Sequence, residues 1–153
     1  MQARLNYPKT SPATYQALLT LQAAVDKTTL EKPLLELLKI RASQINKCAF
    51  CLHMHTRDAR KAGVSEEQIY LLDAWDESPL YSGRERAALA WTEALTLLPE
   101  TGAPDDVYAE LQAHFSEAEI VELTLAIGAI NLWNRFGVGF HLVHPHRAPV
   151  VEA

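Results

Sequence analysis

Residues 36–55 read ELLKIRASQINKCAFCLHMH and contain both cysteines of the chain. Cys48 and Cys51 form a Cys-x-x-Cys motif, and His55 follows the second cysteine by four residues. Residues three and four positions apart lie on the same face of an α-helix, so the two thiols and the imidazole are predicted to share one face. A thiol pair beside an imidazole is typical of thiol redox chemistry or of metal binding.

The composition predicts a single soluble domain. The 153 residues are 48% apolar and 22% charged, which suits one globular core. The net charge of -5 argues against a nucleic-acid partner, because such proteins usually carry a basic face. Residues 1–8 contain no apolar run of the kind found in signal peptides, and the apolar run 123–130 is shorter than the roughly 20 residues of a membrane span. We therefore expect a cytoplasmic protein without membrane partners, where a close cysteine pair is more often catalytic or metal-binding than structural.

Apolar residues recur at helical spacing along the chain, and strand-like alternation is almost absent. The sequence therefore predicts an all-α fold, a single-domain bundle of about seven helices over residues 1–153 with its core at about 12–140. The helix that carries Glu36 is apolar on nearly every side and is expected to be central and buried. The residues from Thr28 to Glu31 match a capping box that would open this helix.

The remaining helix boundaries are predicted from capping residues and glycines. Asn46 would cap a helix over residues 48–62, which Gly63 would close. The last helix is predicted to end at about Phe136, before Gly137. Three Ser-x-x-Glu or Ser-x-x-Gln boxes, which open further helices, begin at Ser65, Ser82 and Ser116.

The position of the two cysteines favours thiolate chemistry. The thiolate is the reactive form of cysteine, and the free N–H groups and dipole of a helix N-terminus lower a thiol pKa. Both cysteines are predicted in a first turn, with Cys48 nearer the N-terminus and therefore the more acidic thiol on this argument alone. Helical side chains at this spacing have Cβ atoms about 5–6 Å apart, against roughly 3.8 Å in a disulfide. An oxidised pair is therefore expected to distort the turn and to be readily reduced, as in a catalytic pair that cycles.

Glu36 is a carboxylate among leucines on a helix that is predicted to be buried. Such a group either pairs with a base or stays protonated. A nearby histidine or thiol would give it a role in proton transfer. The alternative is a structural ion pair with Lys39 or Arg41 of the same segment, and helical periodicity does not choose between the two.

A set of residues in this segment matches the pattern of a known family: Glu36, Arg41, Ala42, Ser43, Asn46, Cys48, Cys51 and His55. The sequence NLWNR at 131–135 also looks like that family. With these residues the chain resembles, from about residue 30 to 140, the alkylhydroperoxidase D-like group of the carboxymuconolactone decarboxylase superfamily.

This resemblance implies an all-helical thiol peroxidase. In the family the second cysteine, here Cys51, attacks the peroxide O–O bond and becomes a sulfenic acid. The first cysteine, here Cys48, then resolves that sulfenic acid. The glutamate and the histidine, here Glu36 and His55, form a proton relay that helps to generate the thiolate. The implied partners are a peroxide substrate and an external dithiol reductant, either a lipoyl group or a thioredoxin-like protein, with no bound cofactor and no metal. The resemblance also implies a homo-oligomer, a trimer or a hexamer.

The chain departs from the peroxidase pattern at Phe50, where that pattern has a histidine before the second cysteine. An apolar ring removes one proton carrier and hydrogen-bond donor, so weaker peroxidase activity or a different substrate is expected. The decarboxylase branch of the superfamily lacks the cysteine pair, so lactone decarboxylation is an alternative activity that this chain fits less well.

Two interpretations from other classes stay open. Cys48, Cys51 and His55 would form three ligands of a zinc site, with His53 or a histidine near the C-terminus as the fourth. The chain would otherwise be a helical assembly protein whose thiols sense oxidants without turnover. The histidines near the C-terminus, which are expected to be solvated if they bind no metal, are His141, His144 and His146.

Overall fold

The computed structural model describes residues 2–145, which form nine α-helices and one 3₁₀ helix and contain no strand. The all-α prediction is therefore confirmed. All seven predicted helices are present, and the two additional ones, α1 and α7, are single turns of four residues each. The helices are α1 (Tyr7–Thr10), α2 (Pro12–Val25), α3 (Lys32–Ile45), α4 (Ala49–Lys61), α5 (Glu66–Leu71), the 3₁₀ helix (Leu72–Glu77), α6 (Gly83–Thr96), α7 (Leu98–Thr101), α8 (Asp105–His114) and α9 (Glu117–Gly139).

Helix α3 lies at the centre of the fold, as its sequence predicts. One side of it packs into a cluster with α6, α8 and α9, through Leu38 and Ala42. The opposite side packs into a second cluster with α4, the 3₁₀ helix and α6, through Leu37 and Ile40. A helix with apolar residues on both sides is buried on both sides, because each apolar stripe needs a partner surface.

Three of the four predicted capping boxes form. At Ser65, Ser82 and Ser116 the serine side chain accepts a hydrogen bond from the third residue of the helix, whose own side chain accepts from the serine N–H. These boxes involve only residues within one turn, so a local sequence pattern is sufficient to identify them.

The capping box predicted at Thr28 does not form. Helix α3 begins at Lys32 with Glu31 as its N-cap residue, and the Glu31 side chain makes no capping hydrogen bond. The Thr28 hydroxyl instead donates to the carbonyl of Val25 at 2.8 Å, because Thr28 still belongs to the turn that ends α2. The neighbouring Thr29 is also used elsewhere, since its N–H and its hydroxyl both donate to the Glu122 carboxylate on α9.

Two further boundaries differ from the sequence prediction. Residues 98–101 form the short helix α7, which overlaps the segment 99–104 that the sequence predicts to be a loop. Helix α9 does not stop at Phe136 but continues through Gly137 to Gly139. A glycine inside a helix costs roughly 1 kcal/mol relative to alanine, so its presence there needs a reason in the packing.

The N-terminal segment is fixed against the end of α9. The Arg4 N–H donates to the Phe140 carbonyl at 2.9 Å, and the Arg4 Nη1 donates to the Gly139 carbonyl at 3.1 Å. The ring of Tyr7 in α1 packs edge-on against Phe136 with 5.0 Å between ring centroids, and it stacks on Phe140 at 5.6 Å. Helix α1 is therefore held by α9, although it is only one turn long.

No helix within residues 2–145 combines the length and the apolar character needed to cross a membrane.

Candidate active site

Cys48 and Cys51 form a disulfide at the start of α4. Both residues are buried, with 1% and 3% of their surface exposed. Cys51 lies in the first turn as predicted, but Cys48 precedes the helix as its N-cap residue with an extended backbone, at φ −90° and ψ 92°. The Cys48 Sγ accepts a hydrogen bond from the Cys51 N–H at 3.4 Å. The Leu52 N–H still donates to the Cys48 carbonyl at 2.9 Å, so the first backbone hydrogen bond of α4 is present beside the disulfide.

The predicted cap, Asn46, has a different function in the structure. It is the C-cap residue of α3, and its side-chain Nδ2 donates to the Oδ1 atoms of both Asn131 and Asn134 on α9, at 2.9 Å each. The buried Asn134 side chain in turn donates to the Ser43 hydroxyl at 3.0 Å, and the Ser43 carbonyl accepts from the Cys48 N–H at 3.0 Å. This polar network joins the cysteine-bearing turn to α9.

Gly137 explains why α9 contains a glycine near its end. A Cβ atom at this position would lie 2.7 Å from the Cys48 Sγ and 3.4 Å from the Cys51 Sγ. Helix α9 can therefore pack directly against the disulfide only because residue 137 has no side chain. Sequence reasoning placed Gly137 beyond the helix and missed its contact with the sulfurs. The one available signal was a glycine that follows a long apolar helical run.

Glu36 bonds to two partners at once. Its Oε2 lies 2.8 Å from the Nδ1 of His55 on α4, and its Oε1 accepts from the Nζ of Lys39, one turn along α3, also at 2.8 Å. The three side chains are nearly buried, with exposures of 13% for Glu36, 11% for His55 and 10% for Lys39. Both interpretations that the sequence left open for Glu36, the histidine partner and the lysine ion pair, are therefore present together.

The contacts of Glu36 determine its charge state. Burial raises the pKa of the Glu36 carboxyl, but the hydrogen bond from His55 and the positive charge of Lys39 outweigh burial, and the pKa is lower than usual. An ionised carboxylate only accepts hydrogen bonds, so the Nδ1 of His55 carries the proton between them. In the neutral imidazole the other ring nitrogen, Nε2, is then a proton acceptor.

These side chains line a cleft of about 490 Å³. Cys51, Glu36, Lys39 and His55 all contribute to its wall, whereas Cys48 does not. Cys51 is therefore the cysteine of the pair that lines the cleft. The apolar part of the wall is formed mainly by Tyr7, Tyr15, Phe50, Met54 and Trp133.

Phe50 and Trp133 are placed where a bound molecule would meet them. Phe50, the position at which the chain departs from the peroxidase pattern, lines the cleft beside Cys51. Trp133 also lines it, and its Nε1 donates to the Gln22 Oε1 on α2 at 3.0 Å. The wall of the cleft is therefore partly aromatic, which suits an apolar ligand.

The remaining histidines near the motif lie apart from the Glu36–His55 pair. His53 is exposed, and its ring stacks on that of His144 with 4.9 Å between centroids. Within residues 2–145, no three His, Cys, Asp or Glu side chains are grouped closely enough to hold a metal ion. His146 lies outside the described residues.

Sequence comparison finds relatives over most of the chain. The model of the family described as carboxymuconolactone decarboxylase matches residues 12–94. The protein YdfG of Bacillus subtilis is 40% identical over 138 residues, which cover 90% of this chain and 94% of YdfG. The protein YnjA of Escherichia coli is 34% identical over 111 residues, which cover 72% of this chain and 60% of YnjA.

Solved structures share the fold. A crystal structure from Agrobacterium tumefaciens, of a protein of unknown function considered a candidate antioxidant defence protein AhpD, superposes with a TM-score of 0.93 and 49% identity, covering 95% of this chain and 100% of that one. The debrominase Bmp8 superposes with a TM-score of 0.80 and 20% identity, covering 90% of this chain and 74% of Bmp8. At that identity the second likeness shows the fold alone.

Proposed function

This chain belongs to the carboxymuconolactone decarboxylase family, and we propose that it is a dithiol-dependent peroxidase that reduces hydrogen peroxide or an organic hydroperoxide to water or an alcohol. One observation carries the proposal. Cys51, which forms a disulfide with Cys48, lines the same cleft as Glu36 and His55. The Glu36 Oε2 and the His55 Nδ1 are 2.8 Å apart. The likeness to a candidate antioxidant protein supports the same assignment.

The first step oxidises Cys51. In the reduced protein, the Nε2 of His55 takes the proton of the Cys51 thiol, and the Glu36 carboxylate stabilises the imidazolium. The thiolate attacks the terminal oxygen of the hydroperoxide, so an S–O bond forms as the O–O bond breaks. The leaving alkoxide takes the proton from His55 and departs as the alcohol, and Cys51 becomes a sulfenic acid after losing two electrons to the peroxide.

The second step joins the two sulfurs. The Cys48 thiol attacks the Cys51 sulfur, an S–S bond forms, the S–O bond breaks and water leaves with the Cys48 proton. The disulfide present in the structure corresponds to this product. A dithiol, a lipoyl group or a thioredoxin-like protein, then attacks Cys51 from the cleft and restores both thiols by exchange.

The N-cap position of Cys48 is consistent with this division of roles. Its Sγ accepts the Cys51 N–H at the positive end of α4, which stabilises a Cys48 thiolate. The more acidic thiol is the better leaving group in thiol–disulfide exchange. Reduction would therefore proceed by attack on Cys51 and release of Cys48, which agrees with Cys51 being the cysteine that lines the cleft.

The decisive experiment counts thiols and turnover together. We expect the reduced protein to lose both of its two thiols after one equivalent of hydroperoxide, and to turn over when a dithiol such as dihydrolipoamide is supplied. Cys51→Ser should abolish both the loss of thiols to peroxide and the turnover. In Cys48→Ser the reaction should stop at a Cys51 sulfenic acid, which dimedone labels. Thiol loss without turnover would identify an oxidant sensor instead. Tight zinc binding by the reduced protein, or lactone decarboxylation that survives Cys51→Ser, would contradict the peroxidase.

Two histidines on α4 offer a matched pair of variants. His55→Gln removes the base that faces the cleft and should lower kcat/KM by about 10²–10⁴, the usual contribution of general acid–base catalysis. His53→Gln, an exposed position two residues away, should leave kcat/KM unchanged. Equal effects of the two substitutions would remove His55 from the mechanism.

A further inference from the structure

Lys39 is a buried lysine that has no part in the mechanism proposed above. Lysine is almost never fully buried unless it is paired, and only 8% of Lys39 is exposed. Its Nζ bonds to the Glu36 Oε1 at 2.8 Å, and its side chain also lines the cleft that Cys51 faces. The ammonium group therefore lies beside the proposed proton relay without contacting His55 directly.

We propose that Lys39 is a positioning residue of this site: it holds one carboxylate oxygen of Glu36 so that the other is directed at the His55 Nδ1, and its charge favours the thiolate form of Cys51. The role in the reaction rests on the proposed function. The proposal is based on the two hydrogen bonds of the Glu36 carboxylate: one oxygen bonds to Lys39 on α3 and the other to His55 on α4.

The geometry gives Lys39 a specific orienting effect. A glutamate carboxylate rotates about its last torsion almost freely, since that torsion has broad wells. Here the Oε1 is held by Lys39 of the same buried helix, so the Oε2 is directed across to α4. Without the ammonium group, Glu36 would keep only the bond to His55, and its orientation would depend on that bond alone.

The charges around the cleft make the ammonium group important. Asp26 at the end of α2 and Asp58 on α4 line the cleft, as does Glu36 itself. Asp58 accepts hydrogen bonds from Arg57 and Lys61, and Asp26 accepts one from Gln22. The other titratable side chains in the wall, besides Cys51, His55 and Lys39, are the phenols Tyr7 and Tyr15, while α9 contributes the uncharged Trp133.

Lys39 is thus the one ammonium group among the described residues that line this cleft. If it were neutral, Glu36 would keep His55 as its only hydrogen-bond partner, and the uncompensated carboxylate would repel a thiolate in the same cleft. The charge of Glu36 would also lose a counter-ion in a site where burial already raises the carboxyl pKa. Both effects would reduce the fraction of Cys51 that is ionised at neutral pH.

The test measures the ionisation of Cys51 directly. In a reduced Cys48→Ser background, the rate of alkylation by iodoacetamide, which carries no charge, is followed as a function of pH. Lys39→Met should raise the pH midpoint by at least one unit, which is about a tenfold lower thiolate fraction at pH 7. Lys39→Arg should restore the midpoint to within a few tenths of a unit. Lys32→Met, at an exposed position of the same helix that does not line the cleft, is the matched control and should not move it.

Several outcomes would overturn the inference. An unchanged midpoint in a folded Lys39→Met protein would make Lys39 a structural partner only. If Lys39→Met does not fold, Lys39→Gln keeps a hydrogen-bond donor without the charge, and a wild-type midpoint in that variant would exclude the electrostatic role. Wild-type turnover with no midpoint shift would overturn the inference while the peroxidase stands. Absence of turnover in the wild type would overturn the peroxidase, whereas a midpoint raised by Lys39→Met would still support the effect of Lys39 on Cys51.

Discussion

Glu36 lies between two helices and bonds to a side chain on each. Its own helix supplies Lys39 at i+3, and the neighbouring helix supplies His55. The first contact is local and can be anticipated from spacing, whereas the second depends on how α4 packs on α3. A buried carboxylate in this position can stay ionised, because each of its two oxygens accepts a hydrogen bond.

Gly137 gives a prediction at the scale of one atom. Gly137→Ala places a methyl group 2.7 Å from the Cys48 Sγ, closer than side chains tolerate, so the sulfur or α9 must move. We expect the oxidised protein to lose about 1–3 kcal/mol of unfolding free energy, the usual cost of overpacking a core. Urea denaturation of the oxidised protein measures the change.

Gly128 provides the control on the same helix. A Cβ atom there would meet nothing within 4 Å, so Gly128→Ala should stabilise α9 by roughly 0.5–1 kcal/mol through helix propensity alone. If Gly137→Ala proved equally stabilising, the close packing of α9 against the sulfurs would be refuted.

At the scale of helices, the start of α9 depends on one carboxylate. The Glu119 Oε2 accepts from the Ser116 N–H and hydroxyl at 2.8 Å each, and its Oε1 accepts from Arg84 on α6 at 2.6 Å. The backbone N–H of Ser116 and then the Arg84 guanidinium hold the pKa of Glu119 down at about 2, well below its usual value of 4.5. The ionised form therefore stabilises the folded state.

This contact predicts a pH-dependent loss of stability. The pKa of Glu119 is lower in the folded than in the unfolded chain, so its contribution is complete above pH 4.5 and disappears as the pH falls to about 2. Glu119→Gln should cost about 1 kcal/mol of unfolding free energy at pH 7 and little at pH 2, measured by urea denaturation at several pH values. Glu117→Gln, at an exposed position of the same turn, is the control. A cost that does not change with pH would contradict the assigned cause.

The helices show where sequence reasoning succeeds and where it cannot. The capping boxes at Ser65 and Ser116 were predictable because all of their partners lie within one turn. Thr28 and Asn46 match capping patterns equally well, but their side chains bond elsewhere, Asn46 to α9. The close approach of Gly137 to the sulfurs depends on tertiary packing that no local pattern encodes.

The candidate site was predictable to a similar extent. The motif identified Cys51 and His55, whose spacing places them on one side of α4, and Cys48, which precedes that helix as its N-cap residue. Glu36 was recognisable as a charge on an apolar helix, but its pairing with His55 came from the family resemblance and not from helical spacing, since α3 and α4 are separate elements. The involvement of Lys39 was visible only as a structural alternative, because a lysine three residues after a glutamate is also common on exposed helices.

For the whole molecule, the buried centre is α3, and its two apolar sides join the cluster with α8 and α9 to the cluster with α4. The outer side of α9 is less completely covered. Val121 and Leu125, four residues apart, are 69% and 37% exposed. Apolar side chains at this spacing are suited to contact with another protein surface, although single exposed ones are common.

The assembly prediction concerns this scale. We expect a homo-oligomer, a trimer or a hexamer of the 17.1 kDa chain, in which contact between copies removes apolar side chains from water. Native mass spectrometry and light scattering measure the mass. Val121→Asp should weaken the assembly if the outer side of α9 takes part, whereas Glu117→Gln should not. A monomer at micromolar concentration would contradict the prediction.

Helix α9 contacts the disulfide, forms part of the cleft wall and holds Tyr7 in place. Gly137 rests on the sulfurs, Trp133 forms part of the cleft wall, and Phe136 anchors Tyr7, which forms another part. A sideways displacement of this one helix would alter both the volume available to a guest molecule and the space around the sulfur pair. Tyr15, which lines the cleft from α2, is therefore a safer position at which to enlarge the binding space, because it belongs to neither α9 nor the turn that holds the disulfide.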